Sequence, residues 1–115
     1  MNSLPITCKD AKTTFLLARR AERLARPLVE QVGDAWRLSI TVALGDKEFS
    51  DPWHVSIYAH YAEGAAEFKP NMPVYKTNIA TSAQLERVIE QIRHLANQQV
   101  LATSEAAAGG EDADA

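Results

Sequence analysis

Apolar side chains recur at helical spacing over the first quarter of the chain and then switch to strict alternation. At about 100° per residue, Ala11, Leu17, Ala18, Ala21, Leu24, Ala25, Leu28 and Val29 share one arc. The spacing predicts a helix from about Cys8 to Gln31, with Thr7 and Asp10 as its capping box and Gly33-Asp34 as its end. Pro27 stands inside the pattern. An interior proline removes one hydrogen bond and crowds the preceding turn, so a kink or break is expected near Arg26.

Period two follows. Trp36, Leu38, Ile40, Val42 and Leu44 alternate with Arg37, Ser39, Thr41 and Ala43, and Trp53, Val55, Ile57, Ala59 and Tyr61 alternate with His54, Ser56, Tyr58 and His60. Gly45 to Pro52 reads as the hairpin loop between them. A weaker strand spans Val74 to Ile79, after a connection rich in turn residues. Thr81 and Gln84 form a second capping box, and the helix behind it carries Leu85, Val88, Ile89, Ile92, Leu95, Ala96 and Val100 at helical spacing. From Thr103 onward the residues are small and acidic, too poor in apolar surface to offset the entropy of ordering.

The pattern predicts an α+β fold of order α-β-β-β-α, a three-stranded antiparallel meander with two helices on one face. Residues 1–7 are a lead-in, 8–102 a single domain and 103–115 a disordered acidic tail. Trp36, Leu38, Ile40, Trp53, Val55, Ile57, Leu85, Ile89 and Ile92 are the expected core. A chain of 115 residues, 46% apolar and 23% charged, supports one such core without staples.

Charge changes the picture. The net charge of −3 divides unevenly: residues 1–31 sum to +3 and the remainder to −6. Six cations, Lys9, Lys12, Arg19, Arg20, Arg23 and Arg26, fall within an arc of roughly 120° opposite the apolar arc of the first helix. Glu22 and Glu30 are the only acids on or near it, and Leu16 lies among the cations. An apolar residue ringed by arginine suits the anchor of a contact. Lys12, Leu16, Arg19, Arg20, Arg23 and Arg26 are therefore the candidate partner-binding set. The open sheet face is the second candidate, through Arg37, His54, Tyr58 and Lys76, since aromatic and basic groups on a flat sheet can stack bases or contact protein.

Other chemistry finds little support. His54 and His60 share a strand face six residues apart, roughly 20 Å, too far for one metal ion. His94 lies on the polar side of the last helix. Cys8, in a first helical turn, favours a thiolate but has no neighbouring base. No phosphate-binding glycine loop, nucleophile elbow or Cys-x-x-Cys motif occurs. Neither a metal nor a cofactor is expected, and neither is catalysis. Asp46, Glu48 and Asp51 cluster in the first hairpin loop, as hairpin tips often do. The order α-β-β-β-α is also that of double-stranded RNA-binding domains, but Thr81 to Glu86 offers no cation at the start of the last helix and the hairpin loop is acidic, so the phosphate contacts are missing.

One cysteine fits a reducing cytoplasm, and no apolar run approaches a membrane span or secretory leader. These observations point to a non-enzymatic binding or regulatory protein that docks its basic helix on an acidic protein surface. A small phage or mobile-element inhibitor of a host complex fits that description. The alternative is a nucleic-acid-binding module using the same helix on phosphates. The oligomeric state is left open by the sequence.

Overall fold

The computed structural model describes residues 4–45, 52–63 and 73–114, with side chains as far as Thr103. The element order is α1 (Ala11–Glu30), β1 (Trp36–Leu44), β2 (Trp53–Tyr61), β3 (Pro73–Ile79) and α2 (Ser82–Asp114). This is the α-β-β-β-α order of an α+β domain. The strands form one antiparallel sheet in the order β1-β2-β3. α1 packs on β1, β2 and α2, and α2 also packs on β3.

β2 is central, and its alternate residues Val55, Ile57 and Ala59 are all 0% exposed. Val55 and Ile57 join Leu17, Ala21 and Ala25 from α1 and Leu85, Ile89 and Ile92 from α2 in the main core. Small alanines on α1 let that helix lie close to the sheet. A second cluster joins Val29, Trp36 and Ala96 at one end. Among the described residues the Trp36 indole N–H has no acceptor, which costs on the order of 1–3 kcal/mol against the packing of the ring. The expected register holds. Leu38, Ile40 and Trp53, however, are only half-buried. For Leu38 and Ile40 the reason is position: β1 is an edge strand with a neighbour on one side only.

The first helix starts later than expected. Asp10 is its N-cap: its carboxylate accepts the Thr13 N–H at 2.8 Å, and the Thr13 hydroxyl oxygen accepts the Asp10 N–H at 3.2 Å. Thr7 is drawn away by an antiparallel bridge to Thr81. Cys8 consequently lies before the helix, buried, with its N–H donated to the Ala80 carbonyl at 2.7 Å. Pro27 does not break α1, which continues to Glu30; the Gln31 N–H closes the last turn on the Pro27 carbonyl. Gly33, at φ +68°, turns the chain out of the helix, a conformation that suits glycine.

The second capping box forms as expected, with Gln84 Oε1 accepting from the Ala80 and Thr81 N–H groups and Thr81 Oγ1 accepting from Gln84 N–H. α2 then runs to Asp114, over residues expected to be a disordered tail. Alanine is the strongest helix former, and Ala102, Ala106, Ala107 and Ala108 supply a local reason that an argument from apolar burial overlooks. The Gly45 N–H donates to the Pro52 carbonyl and closes the first hairpin, whose acidic residues Asp46, Glu48 and Asp51 lie outside the described residues.

Candidate functional site

The outward arc of α1 carries the candidate set, and the fold divides it into groups with different duties. Lys12, Arg19 and Arg23 are exposed, and among the described residues none has an ion pair. Leu16 is 45% exposed between them. The Arg19 guanidinium stands 6.0 Å from the Phe15 ring centroid, one turn back, within cation–π range. Arg26 is tied to Glu22, its Nε and Nη2 donating to Glu22 Oε1 at 2.7 and 2.6 Å. Arg20 reaches backwards and donates from Nη1 to the Leu4 carbonyl at 2.8 Å. The stripe thus offers fewer unpaired cations than the sequence alone suggests.

The Arg20 contact matters because it anchors a segment that the residue pattern leaves as a lead-in. Residues 6–8 are stitched to the β3–α2 junction: Ile6 N–H donates to Ser82 Oγ at 2.9 Å, and Ser82 N–H donates to the Ile6 carbonyl at 2.8 Å. Held at both points, residues 4–7 run alongside α1 and leave a groove of about 680 Å³ between them. Leu4, Pro5, Ile6 and Leu16 give it an apolar lining. Lys9, Arg19, Arg20 and Arg23 set its charge. Leu4, Pro5 and Ile6 are the site residues that residue spacing missed. The one available signal is the pair Leu4 and Ile6, alternating about a proline.

Asp10 caps the start of the helix that carries this arc. The N–H and hydroxyl of Thr13 both stabilise its charged form, and with Lys9 and Lys12 nearby its carboxyl is held below the ordinary aspartate range. It therefore stays ionised at the helix N-terminus, where negative charge is favoured.

The open sheet face brings together three of the four secondary candidates. Arg37 lies opposite His60, and Tyr58 opposite Lys76. The Lys76 ammonium is 5.7 Å from the Tyr58 ring centroid, and the Tyr58 and His60 rings meet edge-on at 5.0 Å. His54 stands apart, opposite Ala43, with Nδ1 3.1 Å from the Pro52 carbonyl oxygen. Lys76 and the rings satisfy one another. Among the described residues there is no group of three His, Cys, Asp or Glu placed to hold a metal ion, and no helix long and apolar enough to cross a membrane. The chain matches no protein-family model, no curated protein and no solved structure.

Proposed function

We propose that this chain is a non-enzymatic binding protein that docks the outer face of α1 on an acidic protein surface, with an apolar side chain of the partner seated beside Leu16. One observation carries the reading: the groove between residues 4–7 and α1 is lined by apolar side chains and by four cations together. Burying one leucine or phenylalanine there contributes on the order of 1.5–3 kcal/mol. The surrounding cations steer and orient acidic neighbours, adding rate and specificity more than raw affinity. A phosphate backbone has charge to offer these cations but no side chain for the apolar lining. Protein is therefore the favoured partner class, and a regulator or inhibitor that occupies a partner's surface in the cytoplasm is the role that fits best.

The test is a set of equilibrium titrations with acidic peptides, each bearing one large apolar residue, beside a DNA duplex as the competing class. The variant Lys12→Glu/Arg19→Glu/Arg23→Glu reverses three exposed cations that hold no ion pair among the described residues. Arg20 is spared because it fastens Leu4, and Arg26 because it is paired with Glu22. Peptide binding with a shallow salt dependence, lost in the triple variant, is expected. Preference for the duplex with a log–log salt slope near −0.9 per phosphate contacted overturns the protein reading. Peptide binding unchanged in the triple variant makes the stripe a merely solvated face.

A further inference from the structure

The segment that walls the groove also has a far side. Between α1 and the start of α2 lies a smaller hollow of about 250 Å³, lined by Leu24, Ala83, Leu85 and Glu86. Pro5 and Arg20 line both depressions. Arg20 is half-buried at this partition, and its bond to the Leu4 carbonyl uses one of the five donors of a guanidinium. Leu16 precedes Arg20 by one helical turn and Leu24 follows it by one. They are 45% and 41% exposed, and Leu4 is 80% exposed. Leu24 belongs by spacing to the apolar arc of α1, yet it joins neither core cluster.

We infer that the partner's contact element is an acidic amphipathic helix with large apolar residues at i and i+7 and a carboxylate between them. This inference rests on the docking reading above and adds the shape of what docks. Leu16 and Leu24 are eight residues apart, roughly 12 Å along the axis of α1. Positions i and i+7 of a partner helix span roughly 10.5 Å on one face, close to that separation. One apolar side chain then enters the groove beside Leu16 and the other enters the hollow beside Leu24. A carboxylate at i+3 or i+4 lies over Arg20, whose remaining N–H groups donate to it in a charge-assisted pair.

The backbone of residues 4–7 decides for a helix over an extended segment. A strand adds to a protein through a run of free N–H and C=O groups. Here the Leu4 carbonyl accepts from Arg20, Pro5 has no N–H, and Ile6 both donates to and accepts from Ser82. No such run is left, so recognition falls to side chains. A helix satisfies its own backbone and presents side chains without leaving amides unpaired. Charge decides the rest. Lys9, Arg19, Arg20 and Arg23 line the two depressions against Glu86 as the one acid. The partner helix is therefore acidic, with its carboxylates gathered towards the Leu16 end. The same face of a second copy is itself cationic and is repelled.

Fluorescence anisotropy with the full chain and synthetic peptides of about 18 residues tests the assignment. The first peptide is a helix rich in glutamate and alanine, stapled on its far face, with leucines at i and i+7. The second moves the later leucine to i+5, about 140° away from the first. The third keeps one leucine, and the fourth is the first with a central proline and no staple. The first is expected to bind about tenfold tighter than each of the others, the gain from burying a second large apolar side chain on a preformed helix. Leu24→Ser, at an exposed position outside the core clusters, is expected to cancel that gain and leave the one-leucine peptide unaffected. Equal binding of the four peptides overturns the helix while docking beside Leu16 stands. A gain that survives Leu24→Ser does the same, and so does a proline peptide that binds as tightly as the first, which makes the occupant an extended segment. A chain that self-associates in sedimentation and becomes monomeric on Leu24→Ser overturns it in favour of a second copy. Absence of binding by every acidic peptide removes both the helix and the docking reading beneath it.

Discussion

Ile57 sits where the pleat of the central strand meets both helices, and it is sealed from solvent. Ile57→Ala removes three methyl or methylene groups from a site closed on all sides, and should destabilise by about 2–4 kcal/mol in denaturant unfolding. Asp10 acts through charge and not bulk. Its carboxyl is held below the ordinary aspartate range by the Thr13 N–H and hydroxyl. A depressed folded-state value means that the unfolded chain binds the proton more readily. The stabilisation is therefore full above the ordinary aspartate range and fades as pH falls through the depressed value. Asp10→Asn, which keeps a neutral cap, should close the stability gap to wild type as the solution is acidified through that window. A gap that stays constant with pH would show that the charge contributes nothing.

Elements show where residue patterns inform and where they stop. Alternation places Val55 and Ile57 inward and Ser56 and Tyr58 outward, because a period of two leaves one face for the core whatever the surroundings. It carries no information on strand order, so the half-burial of Leu38 and Ile40 follows from the sheet and not from their identity. The start of α1 was misplaced because Thr7 and Asp10 both make acceptable caps, and a bridge to Thr81, seventy-four residues away, decides between them. The cationic arc was legible from spacing, but the coupling of Arg20 to Leu4 was not, since the lead-in has no periodicity to locate it. Pro27 remains a local defect in a continuous helix. Pro27→Ala restores an N–H able to bond the Arg23 carbonyl and should raise unfolding stability by about 1–2 kcal/mol, less than the full interior-proline penalty because the unfolded chain also gains freedom. At Gly33 a Cβ would meet nothing within 4 Å, so the cost of Gly33→Ala is that of the positive φ alone, about 1 kcal/mol. Thermal melts of the two variants should move in opposite directions.

At the scale of the whole molecule, the helix layer and the sheet assign separate work to separate surfaces. The apolar arc of α1, Leu24 apart, faces the core, while its outward arc and residues 4–7 build the groove. The central claim is that Leu16 is an anchor among cations and that the partner is a protein. Leu16→Lys separates charge from apolar contact in one substitution, because it enlarges the cationic stripe while removing the anchor. Measured by titration with the leucine- or phenylalanine-bearing acidic peptides, it should weaken binding by more than about 1 kcal/mol despite the added positive charge. Unchanged or tighter binding would contradict the account and identify the face as a plain electrostatic surface.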